Sequence, residues 1–271
     1  MIVHLSRFSF RRLLRGWPVL VLLGALLMAI LTALDVIGTA WLATGSAFLR
    51  PSFLHPLGTN ALGQDLLAHS CQALLALFIG VLPGALLGFG VGVAAGVCAG
   101  WRLHSALDQL ICFACDLFEG LPSYLILVLL ALLMQQAEIG TAILFAALFW
   151  PSAARALRVA TSQVICAPFM DAAEQMGTRT YWRAWRHLLP NLRLVLAALA
   201  LLILGSCIRA QMLLGFMGLD TQARPSLGAM IYSGTQDALS FHFTALLVAL
   251  SLSMLILLAL DSLARRLAAV R

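Results

Sequence analysis

An all-α membrane protein with about six transmembrane helices is the fold class this sequence predicts, and three observations predict it. Of 271 residues, 62% are hydrophobic and only 10% charged, against about 25% charged in a typical soluble domain. The mean hydropathy is +0.99. The apolar residues gather in runs close to the roughly 20 needed to cross a bilayer, and the charges lie between them. No loop holds enough apolar residues for a separate soluble core, so residues 1–271 read as one transmembrane domain.

The spans are expected at about 17–36, 70–100, 106–135, 139–163, 192–215 and 238–262. Arg7, Arg11, Arg12 and Arg15 precede the first run and resemble the charged region of a signal peptide. That run is longer than a cleavable core and no A-x-A site follows, so an uncleaved first span is expected. The second span is interrupted by Pro83 and carries Gly80, Gly84, Gly88, Gly92, Gly96 and Gly100, one every four residues. Small residues at this spacing let another helix backbone approach closely. Each step of four overshoots a helical turn by about 40°, so the stripe is expected to wind and meet several neighbours in succession. The third span contains Pro122, the fourth is of marginal length, and the fifth holds a single charge, Arg209. Asp237 and Asp261 bound the sixth.

An even number of spans puts both termini on one side. With that side inside, 14 of the 17 basic residues are cytoplasmic and only Arg50, Arg209 and Arg224 are external. This asymmetry sets the orientation, with both termini in the cytoplasm. It also explains the net charge of +6 without any nucleic-acid partner. All 17 basic residues are Arg. Without Lys, neither a P-loop nor Schiff-base chemistry is available to this chain. The six cysteines, 71, 98, 112, 115, 166 and 207, are expected as small apolar packing residues. Cys112 and Cys115 have no second pair or His at ligand spacing, and His55, His69 and His242 have none either, so no metal site is expected.

The cytoplasmic segment 165–191 is the most informative. Pro168 suits a first helical turn, Asp171 and Glu174 favour its positive end, and Gly177 fits a left-handed position just past its end. Thr178 or Thr180 is expected to cap a second helix that ends before Pro190. Tyr181, Trp182 and Trp185 crowd about one and a half turns beside several Arg. That composition fits a protein-docking surface, or equally an interfacial helix seated at lipid headgroups.

These residues resemble the membrane permeases of ABC importers. Their cytoplasmic signature is E-A-A, three residues, Gly, nine residues, then I-x-L-P. Here Asp171-Ala172-Ala173, Gly177 and His187-Leu188-Leu189-Pro190 keep that spacing. Arg186-His187-Leu188-Leu189-Pro190-Asn191 is similar to the R-H-x-L-P-N ending of the peptide/nickel branch. His55-Pro-Leu-Gly58-Thr59-Asn60-Ala-Leu-Gly63-Gln64-Asp65 resembles H-x-L-G-T-D-x-L-G-R-D of the C-type permease in that branch. Gln211-Met-Leu-Leu-Gly215-Phe216-Met-Gly218-Leu219 with Pro225-Ser226-Leu-Gly228 resembles E-x-x-L-S-F-L-G-L-G followed by P-S-W-G.

The resemblance implies the type I ABC importer permease fold, with residues 165–191 as the segment that couples to an ATPase. Asp171, Ala172, Ala173, Gly177, Trp182, Trp185, His187, Leu189 and Pro190 would form that contact. It implies a heterodimer with a homologous B-type permease, two cytoplasmic ABC ATPases and an extracytoplasmic substrate-binding protein, all at the lipid bilayer. ATP and magnesium would sit on the ATPases, with no cofactor in this chain. The cargo would be a peptide, nickel or a metal chelate. Asn60, Gln64 and Gln211 replace Asp, Arg and Glu of the pattern, so each is expected to lose an ionic partner.

Asp116, Glu119 and Pro122 lie together in the third span, and with Gln211 they are candidate translocation-path residues. Carboxylates at that depth are costly and normally face a cavity or a partner. Either they form an acidic patch favouring a cation, which leans the cargo towards nickel or a chelate, or they are hydrated or paired with Arg102 or Arg155. Two other functions compete. A stand-alone channel or secondary transporter leaves the aromatic inner segment unexplained. An intramembrane enzyme would need H-E-x-x-H, G-x-S-x-G or an acid pair with a nucleophile, and none is present.

Overall fold

The computed structural model describes residues 16–34, 45–133, 138–220 and 225–269, and among these every regular element is helical. In chain order the helices are α1 (Trp17–Ala33), α2 (Leu66–Trp101), α3 (Ala106–Glu119), α4 (Ser123–Leu133), α5 (Glu138–Ile165) and α6 (Pro168–Gln175). They continue with α7 (Thr180–Arg183), a π-helical turn (Ala184–Leu188), α8 (Leu189–Phe216), α9 (Leu227–Leu239) and α10 (Thr244–Ala268).

Four stretches are long and apolar enough to cross a membrane, Leu66–Trp101, Ile139–Ile165, Thr180–Phe216 and Thr244–Ala268, and the bent pair α3–α4 makes a fifth. α1 is a shorter apolar helix of 17 residues, whose expected continuation to residue 36 lies outside the described residues. So do Arg7, Arg11, Arg12, Arg15 and Arg224. The third span is broken rather than continuous. α3 and α4 meet at 78°, because Gly120 caps α3 by donating to Asp116 O at 2.8 Å and Pro122 has no N–H with which to extend the ladder.

The chain forms two compact units, 1–79 with 211–266, and 80–210 with 267–271. In the second unit the glycine ladder meets one helix, not several. Cβ atoms at Gly84, Gly88, Gly92, Gly96 and Gly100 would strike Ala142, Ala146, Trp150–Ala153, Ala154–Leu157 and Arg158–Thr161 of α5 in turn. The partner advances by about four residues with each step of four on α2. The contact line therefore follows the i±4 ridge of both helices, and α5 tracks the winding stripe. A buried cluster of Leu157, Ala160, Leu188 and Leu192 sits below, packed by Val93, Val97, Trp101, Val195 and Leu199.

The first unit is organised by the loop before α2. Asp65 accepts from Leu67 and Ala68 N–H with Oδ1, at 2.8 and 3.1 Å, capping α2. Its Oδ2 lies 2.7 Å from His55 Nδ1, so His55 is a structural partner. Gly58 and Gly63 have φ of +80° and +72°, and a Cβ at either would strike the carbonyl of Leu49 or Gly45. Three cysteines are buried, Cys71, Cys115 and Cys207, and Cys112 is half-buried. Cys98 and Cys166 are exposed, which corrects the expectation that all six are packing residues; both stand on apolar helices or their ends, where sequence gives no side.

Candidate functional site

The segment 165–191 is built as two helices around a sharp turn. α6 begins with Pro168 in its first turn, where the missing N–H costs nothing, and holds Asp171 there against the positive helix end. Met176 is the C-cap, and Gly177 follows in the left-handed region at φ +73°. Thr178 N–H reaches Ala173 O at 3.2 Å and Gly177 N–H reaches Glu174 O at 2.8 Å. Those two bonds are a complete Schellman closure. On α6, Met170 and Ala173 are buried. Asp171, Ala172, Glu174 and Gln175 are exposed.

Beyond Gly177 two expectations are corrected. Arg179, not Thr178 or Thr180, is the N-cap of α7, and it makes no side-chain cap bond. The helix does not end before Pro190 but runs from Thr180 to Phe216. The π turn Ala184–Leu188 makes this possible. Pro190 clashes with the carbonyl four residues before it and removes one ladder bond, and a widened turn immediately upstream relieves both.

Tyr181, Trp182 and Trp185 are 63%, 48% and 70% exposed. His187 lies 6.3 Å from the Phe169 ring, centroid to centroid, and its carbonyl accepts from Asn191 Nδ2 at 2.6 Å. Leu189 and Pro190 are exposed. Sequence reasoning missed three residues that hold the segment in place. Leu188 is buried in the cluster with Leu157 and Leu192. Arg183 Nη1 donates to Glu174 Oε2 at 2.8 Å, and its guanidinium carbon stands 5.9 Å from the centre of the Trp101 ring. The signal for Arg183 was its spacing of nine from Glu174 across a turn, which a one-dimensional reading does not pair.

The candidate path residues fall in two places. Arg155 Nη2 bonds both Asp116 Oδ1 at 2.7 Å and Glu119 Oε2 at 2.8 Å, so the pair belongs to Arg155 and not Arg102. All three side chains are substantially exposed. About two turns earlier on α3, the buried Asp108 takes Arg158 bidentately, Nε to Oδ1 at 2.5 Å and Nη2 to Oδ2 at 2.8 Å. Pro122 stands at the break between α3 and α4. In the other unit, Gln211 is buried and donates from Nε2 to Asp220 Oδ1 at 2.6 Å. A cavity of about 310 Å³ beside it is lined by Asn60, Gln64, His69, Asp220, Ser226 and Asp237 among others.

The neutral replacements have partners after all. Asn60 Nδ2 donates to Gln64 Oε1 at 2.7 Å, and Asn60 Oδ1 accepts from Leu62 and Gln64 N–H at 3.0 and 2.9 Å. An amide pair stands where the family pattern places Asp and Arg. Among the described residues no group of three His, Cys, Asp or Glu could hold a metal ion.

Residues 88–269 match the family model for the binding-protein-dependent transport system inner membrane component. The chain belongs to that family. The matched region takes in the C-terminal part of α2, the α3–α4 break, the 165–191 segment and every helix after it. The permease is 31% identical over 206 residues to the oligopeptide transport system permease protein OppC of Mycobacterium tuberculosis, covering 72% of this chain and 68% of that one. It is 31% identical over 198 residues to the dipeptide transport system permease protein DppC of Bacillus subtilis, covering 72% and 61%. It is 26% identical over 212 residues to the glutathione transport system permease protein GsiD of Pectobacterium atrosepticum, covering 76% and 69%. The permease is thus an ABC importer membrane subunit of the C type, an all-α multi-pass protein of the inner membrane, and its family is one of transport proteins rather than enzymes.

Proposed function

We propose that the permease supplies half of a translocation pore for peptide uptake and couples it to ATP hydrolysis on separate subunits. The other half would be a homologous B-type permease. Two ABC ATPases, carrying the ATP and magnesium, would dock on one face, and a substrate-binding protein would deliver cargo at the other. Both termini of the permease would be cytoplasmic, a reading that the Arg asymmetry supports.

The observation that carries this reading is the shape of the 165–191 segment. α6 is pinned on one side by Met170 and Ala173 and presents Asp171 and Ala172 on the other. The Schellman turn at Gly177 and the unbroken helix from Thr180 to Phe216 make a stiff lever. A push on α6 would be transmitted into a membrane-crossing helix instead of being absorbed by a loose loop. Asp171, Ala172, Ala173, Gly177, Trp182, Trp185, His187, Leu189 and Pro190 are the proposed coupling residues. Of these, Ala173 acts from inside by seating α6, and the exposed Trp182 and Trp185 supply the anchor area typical of docking hot spots.

The translocation path would pass the α3–α4 break at Pro122 and the Asp116–Arg155–Glu119 cluster, and Gln211 is a further proposed path residue. Because Arg155 offsets one of the two carboxylates, the cluster keeps one net negative charge. Peptides are the cargo that the names of the relatives favour, and nickel or a metal chelate is the competing cargo. Co-purification tests the reading. Trp182→Ala with Trp185→Ala should abolish capture of the ATPases while leaving the permease folded. Full capture by that variant, with ion-driven uptake in the absence of ATP, would favour a stand-alone channel or secondary transporter.

A further inference from the structure

The end of α2 carries a second surface with its own chemistry. A groove of about 710 Å³ runs between the last turn of α2, the start of α3 and α7, lined by Val97, Cys98, Trp101, Arg102, Leu107, Thr180, Tyr181 and Ala184. Its lining is mixed: Val97 and Leu107 are apolar, Trp101 and Tyr181 are amphipathic, and Arg102 and Thr180 are polar. Trp101 is the last residue of a 36-residue apolar helix. Aromatic rings in that position mark the boundary between hydrocarbon and headgroup. The groove therefore lies at the level of the membrane interface and combines apolar with polar lining.

Arg102 is exposed, and among the described residues no carboxylate pairs with it. Four acids of the same unit are engaged elsewhere: Asp108 by Arg158, Asp116 and Glu119 by Arg155, and Glu174 by Arg183. A free guanidinium at the rim of an apolar, interface-level groove calls for an anion attached to an apolar body.

We propose that this groove binds an anionic phospholipid, its phosphodiester on Arg102 and Thr180 and the first carbons of its acyl chains over Val97 and Leu107. A soluble phosphate would leave the apolar lining uncovered. A zwitterionic lipid would bring a choline or ethanolamine cation towards the guanidinium. Tyr181 and Ala184 face this groove from the same helix that carries Trp182 and Trp185. The lipid would thus brace the lever, whether or not the proposed ATPase docking is correct.

Native mass spectrometry of the detergent-purified full-length chain, delipidated and then exposed to phosphatidylglycerol or phosphatidylcholine with identical acyl chains, tests this. The wild type should retain phosphatidylglycerol in preference to phosphatidylcholine. Arg102→Gln should cut that retention about fivefold, the effect of one guanidinium at an anionic lipid surface. Arg265→Gln, which removes an exposed Arg outside the groove, should not. Ala184→Trp, which fills the groove and leaves Arg102 in place, should cut retention similarly. Equal retention in wild type and both groove variants would overturn the proposal. So would equal binding of phosphatidylcholine, or displacement of the lipid by excess inorganic phosphate, which would mark a soluble-anion site.

Discussion

Arg183 Nη1 donates to Glu174 Oε2 across 2.8 Å, tying the helix after Gly177 back to the helix before it. Glu174 is exposed and Arg183 largely buried, so the two partners are not equivalent. Removing the carboxylate exposes little, whereas removing the guanidinium also strips packing from Trp101. Glu174→Gln should therefore cost no more than about 1 kcal/mol. Arg183→Ala should cost more and loosen α6. Hydrogen exchange of the amides of Pro168–Gln175 reads this directly, with faster exchange expected in the Arg183 variant and little change in the Glu174 variant.

Gly177 holds the turn by its conformation. At φ +73° with open space around its Cβ position, a side chain meets strain and no clash. Gly177→Ala should thus destabilise the turn by roughly 1–2 kcal/mol, and Gly177→Asn should recover part of it. Thermal unfolding of the purified permease should rank glycine above asparagine above alanine.

The glycine ladder gives the opposite case. A Cβ at Gly96 would lie 2.5 Å from Ala154 O and 2.8 Å from Leu157 Cβ, whereas one at Gly90 meets nothing within 4 Å. Gly96→Leu should lower stability by about 1–3 kcal/mol through overpacking. Gly90→Ala should leave stability unchanged or raise it by up to about 1 kcal/mol from helix propensity. Fluorescence-detected thermal denaturation in detergent separates the two.

Asn60 and Gln64 can be tested as a pair. Asn60→Asp alone removes the amide donor that meets Gln64, and Gln64→Arg alone removes its acceptor. Each should destabilise the loop before α2, and the double variant should restore it, with a coupling energy of about 0.5–1 kcal/mol. Additive losses would show the amide contact to be incidental.

Much of this was legible beforehand, and the division follows the range of the forces. The apolar runs reveal helices because burying an unpaired backbone in lipid leaves few alternatives. Pro168, Asp171 and Gly177 reveal α6 because capping is local. The ladder was visible too, yet that α5 alone follows it depends on a matching ridge of Ala142, Ala146 and Ala153 far along the chain. The same holds for Arg155, which lies 39 residues from Asp116. Pro190 was misjudged as a terminus because proline is a local breaker. Here tertiary burial of Leu188 and Leu192 keeps the helix going, and the π turn absorbs the clash.

The Asp116–Arg155–Glu119 cluster decides whether the third span meets cargo. If it does, Glu119→Gln in proteoliposomes should lower uptake of a cationic peptide several-fold relative to a neutral one. Equal uptake of both would remove the cluster from the path and leave Arg155 as a structural clamp.

Site-directed crosslinking is the most direct measurement of coupling. With the exposed Cys98 and Cys166 replaced by Ser, Ala172→Cys on the open face of α6 should form a disulfide or bismaleimide bridge to an ATPase subunit. The yield should change when ATP is added, while a cysteine at Leu239 should form none. A transporter that hydrolyses ATP and moves peptide, yet gives no ATPase adduct from position 172 under any nucleotide condition, would show that residues 165–191 are not the coupling element.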